Sequence, residues 1–168
     1  AGSFAQPGDK EKKKKKKGGD KTQATTLDKA AQQKVERLFM EAEKAKVTED
    51  RDAAIKNYND VLAIDPANAN AHFQLAQIYA NTRRLADAEK EAQEAVRLDE
   101  GNKWYLEMLS GIYMNQGKAK EATDVFKTLI TRFPNNADYY LNLGFLQTRA
   151  GQFDAAVKTY EQFEKNFG

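Results

Sequence analysis

The sequence predicts an all-α solenoid, in which similar pairs of helices stack along one axis. Small and large residues recur with a single period of 34 positions, and each period contains two amphipathic stretches separated by polar residues. No alternating β-branched run has the length typical of a strand. We therefore expect a helical domain at 28–168 made of four units, at 35–68, 69–102, 103–136 and 137–168, the last of them incomplete.

The repeat is visible in several columns that share the 34-residue period. A small residue recurs at Ala54, Ala88, Ala122 and Ala156. The residue four positions later is Tyr58, Ala92, Phe126 or Tyr160. A small side chain lets two helices approach closely and the larger one fills the adjoining space, so we assign both columns to the core and expect no chemistry from them.

The expected helix ends carry residues that favour them. Asparagine, a good N-cap, precedes the first helix of three units at Asn68, Asn102 and Asn136. Glycine, which favours the left-handed conformation at a helix C-terminus, occurs at Gly117 and Gly151. Pro66 and Pro134 follow the second helices and prevent their continuation. Each unit is therefore predicted to be a helix–turn–helix.

The motifs that carry a family resemblance are Leu143-Gly144, Ala156, Tyr160, Asp65-Pro66 and Phe133-Pro134. Over residues 35–168 they resemble the tetratricopeptide repeat (TPR). That resemblance implies a right-handed superhelix whose first helices line a concave side. Glu41 stands where the family has a leucine, so the first unit departs most from the pattern. The run from Phe39 to Ala42 is also similar to bacterial envelope TPR proteins.

The first helices carry a stripe of residues that face away from the predicted core. It is rich in aromatic residues, methionine and amides, which suit a bound peptide or helix. The predicted groove residues are Phe39, Met40, Glu43, Phe73, Gln74, Gln77, Asn81, Trp104, Met108, Met114, Asn115, Asn142, Phe145 and Arg149. We expect a non-catalytic scaffold that binds a protein partner within a larger assembly. The alternative is that half or more of the stripe is ordinary packing between neighbouring helices.

The best-known site of the resembled family is a clamp of lysines and asparagines that holds the C-terminal carboxylate of a chaperone. One alignment of the units places Phe39, Glu43, Gln74, Trp104 and Met108 at the clamp positions. An alignment one unit later places there Phe73, Gln77, Met108, Asp138 and Asn142. Neither set contains a cation for the carboxylate, so we expect no binding of chaperone tails.

The composition argues against an enzyme. The chain of 168 residues has no cysteine and one histidine, His72, which cannot build a metal site of several histidines. Serine occurs only at Ser3 and Ser110, and no glycine-rich phosphate loop is present. We expect no cofactor, no metal and no small-molecule substrate, and we interpret His72 as a helix-packing residue.

The lysine-rich N-terminal segment, 1–27, is predicted to be a disordered arm. Residues 1–30 hold nine lysines and four acidic residues, and they include the consecutive Lys12, Lys13, Lys14, Lys15, Lys16 and Lys17. This arm offers an alternative function, electrostatic attachment to nucleic acid or to an anionic membrane. No aromatic residue is interleaved to stack on bases, so a solubilising linker explains the arm as well.

Both ends of the chain leave alternatives open. Small residues at Ser3 and Ala5 before Gln6 have the pattern of a signal-peptidase site, which indicates a periplasmic or envelope-associated protein. A cloning scar at 1–5 and a cytoplasmic protein are the alternative. At the other end, the helix at 153–168 carries an apolar face with Phe163 and Phe167. Either the sequence is part of a longer protein, or a partner or second copy docks on that helix.

Overall fold

The computed structural model describes residues 27–168, which form eight α-helices. In chain order the helices are α1 (Lys29–Val47), α2 (Arg51–Ile64), α3 (Ala69–Asn81), α4 (Leu85–Leu98), α5 (Lys103–Asn115), α6 (Ala119–Arg132), α7 (Ala137–Arg149) and α8 (Phe153–Phe167). The predictions for the arm, including Lys12 to Lys17, and for residues 1–6 fall on positions 1–26, outside the described residues.

The helices pack as four pairs, α1 with α2, α3 with α4, α5 with α6 and α7 with α8. Each second helix then packs on the first helix of the next pair, and no strand occurs within residues 27–168. The predicted all-α solenoid of four helix–turn–helix units is therefore confirmed. None of the eight helices combines the length and the apolar character needed to cross a lipid bilayer.

Asparagine side chains start three of the four first helices, as predicted. The side-chain oxygens of Asn68, Asn102 and Asn136 accept hydrogen bonds from the backbone amides of Ala71, Trp104 and Asp138. Asp28 and Asp50 do the same for α1 and α2. Each cap satisfies an amide that has no partner inside its own helix.

The turn between the two helices of every unit contains one residue in the left-handed conformation. Gly117 and Gly151 have φ of 72° and 71°, which confirms the predicted glycine positions. The equivalent residues of the first two units are Glu49 and Arg83, with φ of 60° and 59°. A side chain makes this conformation costly, so the first two turns are strained where the last two are not.

The core runs between the paired helices. The alanine column is buried at Ala54, Ala88, Ala122 and Ala156, and Tyr58 and Phe126 fill the space beside it. Tyr160 packs its ring against Gly144 on α7, but the expectation that it is buried in the same core is wrong, because the residue is 39% exposed. Within the described residues no further helix follows α8 to cover this tyrosine.

Candidate functional site: the first-helix groove

The surface lined by α1, α3, α5 and α7, here called the first-helix groove, contains a central depression between α3 and α5. It brings together five of the predicted groove residues, Phe73, Gln77, Trp104, Met108 and Asn115. Gly111 lies among them, and a Cβ atom on this glycine would have no neighbour within 4 Å. Two apolar rings, a thioether and two amides therefore surround an open space on one face of the molecule.

Trp104 lies at the edge of this depression with 62% of its surface exposed. Its position is fixed by the helix start, because its backbone amide donates to the side chain of Asn102 at 3.1 Å. The ammonium group of Lys103 lies 4.4 Å from the centre of the indole ring, a cation–π contact. Lys103 is not among the predicted groove residues, because consecutive helical residues point in different directions and the sequence does not show that its side chain reaches the indole ring.

Two predicted groove aromatics also pack between helices. The ring of Phe73 lies 5.0 Å from that of Tyr105 on α5, and the ring of Phe39 lies 5.4 Å from that of Tyr58 on α2. Phe73 remains at the surface of the central depression, whereas Phe39 packs against the core of the first unit. These two residues therefore contribute to helix packing, the alternative considered for the stripe.

A second depression lies between α5 and α7. It is lined by Met114, Phe145 and Arg149 together with the buried Leu146. The guanidinium group of Arg149 lies 5.7 Å from the centre of the Phe145 ring. Within residues 27–168 Arg149 forms no ion pair. This part of the groove therefore combines an apolar surface with an available positive charge.

The N-terminal part of the stripe is engaged in internal hydrogen bonds. The ammonium group of Lys46 donates to Gln74 on α3 and to Glu43 on α1. Glu43 also accepts from the hydroxyl of Tyr58. Burial, together with this hydrogen bond, raises the pKa of Tyr58 above its ordinary value. Lys46 and Gln74 therefore tie the first two units together, and Glu43 joins α1 to α2 within the first unit.

The remaining predicted residues lie apart from the central depression. Met40 is 66% exposed on α1. Asn81 lines a separate shallow site with Lys46. The amide nitrogen of Asn142 donates to the backbone oxygen of Asp138 in the same helix, at 2.8 Å. These three residues do not converge with Trp104.

Glu107 adds a negative charge to the central depression, although it is not among the predicted site residues. It accepts a hydrogen bond from the hydroxyl of Tyr139 on α7. Burial of the phenol raises the pKa of Tyr139 above its ordinary value, and the hydrogen bond with Glu107 raises it further. The position of Glu107 beside Trp104 and Met108 on one helix face was visible in the sequence, but its tyrosine partner 32 positions away was not.

His72 has a more specific role than helix packing. Its Nδ1 lies 2.6 Å from the carboxylate of Glu91 on α4, and its Nε2 lies 3.2 Å from the backbone oxygen of Pro66. Both ring nitrogens face acceptors, so only the protonated imidazolium can donate to both. Burial lowers the pKa of His72, but the hydrogen bonds with Glu91 and Pro66 outweigh it, so the pKa is raised. Among residues 27–168 no group of three or more acidic, histidine or cysteine side chains is arranged to hold a metal ion.

Three solved or curated proteins illustrate what the chain is similar to. The Small glutamine-rich tetratricopeptide repeat-containing protein 2 of Saccharomyces cerevisiae is 27% identical over 104 residues, which cover 62% of this chain and 30% of that protein. The match therefore spans less than a third of the yeast protein's length. The crystal structure of MamA protein aligns with a TM-score of 0.70 at 24% identity, covering 79% of this chain and 72% of MamA. YrrB, a TPR protein described as having an unusual peptide-binding site, aligns with a TM-score of 0.68 at 16% identity, covering 82% of this chain and 75% of YrrB.

At these identities the two structural likenesses concern the fold alone. The family is shown by sequence: a family model described as Tetratricopeptide repeat matches residues 48–112 and 113–165. The matched residues are more than half of the chain, and they agree with the stacked helix pairs, the small-residue column and the turn glycines. The chain is a member of the tetratricopeptide repeat family, whose fold serves as a scaffold for protein–protein interaction.

Proposed function

We propose that the protein is a non-catalytic scaffold that binds a peptide or an amphipathic helix of a partner protein in the first-helix groove, as part of a larger assembly. The observation that carries this proposal is the exposure of Trp104, at 62%, beside an open depression lined by Phe73 and Met108. Large aromatic side chains at the surface supply much of the binding energy in protein interfaces.

The polar residues of the central depression suit a peptide backbone. The amides of Gln77 and Asn115 each offer donors and an acceptor, so they can bond to main-chain groups without selecting a sequence. Selectivity then comes from the apolar side chain that lies against Trp104 and Met108. This division of roles favours a ligand with a large apolar residue and an accessible backbone.

The second depression extends the same surface along the array. Met114 lines it and the adjacent residue Asn115 lines the central depression, so one bound segment that crosses α5 can contact both. A carboxylate in this segment could pair with Arg149, which forms no ion pair with another residue of 27–168. We therefore expect ligands with an acidic residue near the Phe145 end. The peptide-binding site ascribed to the structurally similar YrrB supports peptide binding as a use of this fold.

The test uses the fluorescence of Trp104, the only tryptophan of the chain. Peptides that bind the full chain are first selected from a displayed random library. Each peptide is then titrated into the protein, and binding at the groove should shift the indole emission to shorter wavelength. Phe73→Ala should weaken this binding, and so should Trp104→Ala when binding is measured by calorimetry. Val47→Ala, at an apolar residue 84% exposed at the end of α1, is the matched control and should bind as the parent does. Retained binding by Trp104→Ala and Phe73→Ala would contradict the proposal.

Affinity capture from native extract extends the test to natural partners. The full chain and its Trp104→Ala variant are compared at two salt concentrations. The parent should retain partners of the groove at high salt, because salt hardly screens apolar contacts. The variant should lose these partners at both salt concentrations. A variant that captures the same proteins as the parent would also contradict a groove function.

A second candidate function follows from the six consecutive lysines Lys12–Lys17. We propose that this run can tether the protein electrostatically to nucleic acid or to an anionic membrane, since several clustered cations neutralise several phosphates at once. Removing residues 1–26 should abolish retention on duplex DNA or on vesicles containing phosphatidylserine, and raised salt should have the same effect. Trp104→Ala should leave such binding unchanged, which separates the two functions.

A further inference from the structure

The last helix exposes a stripe of apolar side chains along one side. Phe153, Val157 and Tyr160 stand at positions i, i+4 and i+7 of α8 and are 65%, 55% and 39% exposed. One and three periods earlier, Phe126 and Tyr58 occupy the position of Tyr160 and are 4% and 0% exposed. Those residues lie in units that are followed by another first helix, so the position of Tyr160 has the character of an interface, and Phe153 and Val157 extend it along α8.

A second stripe, of charged residues, runs beside the apolar one. Asp154, Lys158, Glu161 and Lys165 stand at i, i+4, i+7 and i+11, so they share one side of the helix and alternate in sign. None of these four side chains forms an ion pair with any residue in 27–168. The charges are therefore available to a partner that packs on the apolar stripe.

Read from one end of the helix, the signs of these charges are opposite to the signs read from the other end. When a second α8 runs antiparallel to the first, Asp154 lies opposite Lys165 of the second copy, and Lys158 lies opposite its Glu161. The two-fold axis that relates the helices repeats each pair, so all four positions meet the opposite sign. Such self-complementarity is what a symmetric dimer interface requires.

The opposite end of the molecule does not fit the same stripe. At the positions where α7 carries the buried Tyr139, Leu143 and Leu146, α1 carries Arg37, Glu41 and Lys44, and all three are exposed. The equivalent residues of α3 and α5 are likewise buried and apolar: Ala71, Leu75, Ile78, Tyr105, Leu109 and Ile112. The outer face of α1 is therefore charged, which disfavours a head-to-tail chain of copies in which α1 covers α8.

We propose that the protein forms a two-fold symmetric dimer through α8, packed antiparallel against α8 of a second copy. The apolar stripe of Phe153, Val157 and Tyr160 is covered in the interface, and the charged stripe forms ion pairs along its side. The apolar stripe ends at Tyr160, and the charged stripe extends the contact from Asp154 to Lys165, about 17 Å along the helix. It uses a different surface from the central depression, so dimerisation and ligand binding are separate properties.

Sedimentation equilibrium on the full chain tests the dimer. The mass should rise from one chain to two with concentration, and Val157→Glu should weaken the association at least about tenfold because it places a charge in the apolar stripe. Val47→Glu, on α1, makes the same change at another exposed valine and should associate as the parent does. Both positions are exposed, so far-ultraviolet circular dichroism should show unchanged helix content.

Charge exchange tests the antiparallel arrangement itself. Lys158→Glu and Glu161→Lys should each weaken association, because each places like charges opposite one another twice in the dimer. The double variant should recover the association of the parent. The two single variants, mixed together, should form a mixed dimer more readily than either associates with itself. Failure of both the double variant and the mixture to associate would overturn the antiparallel pairing.

Two further outcomes would overturn the proposal. The first is a single-chain mass at every concentration accessible to sedimentation. The second is a monomer that binds a synthetic peptide of residues 103–116, the sequence of α5, at the Val157 surface. That result would mean that the apolar stripe of α8 binds the first helix of a further repeat unit, with residues such as Tyr105, Leu109 and Ile112, rather than a second copy. Whether or not the protein dimerises, Val157→Glu should leave the binding of library-selected peptides at Trp104 unchanged.

Discussion

Gly144 on α7 lies directly against the ring of Tyr160 on α8: a Cβ atom placed on Gly144 would lie 2.5 Å from Cζ of the tyrosine. Carbon atoms in contact are ordinarily about 3.5–4.0 Å apart, so no side chain fits there without movement of the helix or the ring. The equivalent residues of the first three units are Ala42, Ala76 and Ser110. The requirement for glycine therefore belongs to the fourth unit, where the tyrosine ring packs directly on the backbone of α7.

Gly144→Ala should lower the free energy of unfolding by about 1–3 kcal/mol, the usual cost of overpacking a contact. Equilibrium unfolding in urea measures it. Gly111→Ala is the matched control, since this glycine is also in the middle of a first helix but has no atom within 4 Å of the added Cβ. It should gain about 0.5–1 kcal/mol from the higher helix propensity of alanine. Equal shifts in the two variants would contradict the close approach at Gly144.

Introducing glycine at a left-handed turn residue should stabilise the protein, and removing glycine from one should destabilise it. Arg83→Gly should raise the stability by about 0.5 kcal/mol, because relief of the left-handed strain exceeds the entropy that glycine adds to the unfolded chain. Gly117→Ala should lower it by about 1 kcal/mol although space is open around it, because only its φ of 72° opposes the change. Thermal unfolding of both variants provides the measurement, and a stabilised Gly117→Ala would show that the turn is not left-handed.

The pairing of His72 with Glu91 predicts a pH dependence of stability. The pKa of His72 is raised in the folded protein relative to the unfolded chain, so the folded state binds the proton more tightly. The resulting stabilisation is complete below the ordinary histidine pKa of 6.5 and is lost as the pH rises through the folded pKa. The melting temperature should therefore fall as the pH is raised through this window.

Nuclear magnetic resonance tests the same pair directly, since His72 is the only histidine of the chain. The imidazole protons should titrate with a midpoint above 6.5, and Glu91→Gln should lower that midpoint. Glu94→Gln is a suitable control because Glu94 raises the pKa of His72 only through its charge at a distance, and less than Glu91 does. A midpoint at or below 6.5 in the parent would contradict the hydrogen-bonded imidazolium.

Residues of the groove and of the core should respond differently to truncation. Trp104→Ala should change the free energy of unfolding by less than about 0.5 kcal/mol, because the side chain is largely exposed. Leu109→Ala, on the same helix but only 6% exposed, should cost about 2–5 kcal/mol. Urea unfolding of the two variants compares them, and a large loss of stability in Trp104→Ala would assign the tryptophan to packing rather than to ligand binding.

The sequence was sufficient for the features that depend on local chemistry. Asn68, Asn102 and Asn136 act through hydrogen bonds to residues two or three positions away, and Gly117 and Gly151 act through their own backbone. The 34-residue period then fixed the order of the helices. Glu49 and Arg83 adopt the same turn conformation without its usual residue, so composition could not reveal them.

The features that depend on contacts between units were less accessible. His72 meets Glu91 across 19 positions and Tyr139 meets Glu107 across 32, and nothing in the local sequence selects either partner. The stripe of first-helix residues was defined by helical periodicity, which predicts the side of the helix on which a side chain lies but not its distance from neighbouring helices. It therefore grouped Phe39, which packs on Tyr58, with Trp104, which is 62% exposed.

Because nearly all helix packing joins elements adjacent along the chain, few contacts require distant segments to meet before the fold is stable. A topology of this kind has a low contact order and is expected to fold rapidly, with growth outward from whichever unit forms first. In the monomer, unfolding should then begin at a terminus, and α8, whose apolar stripe is exposed in the single chain, is the place where fraying should start. Amide hydrogen exchange along the array would show this as a gradient of protection that rises from α8 toward α3 and α5.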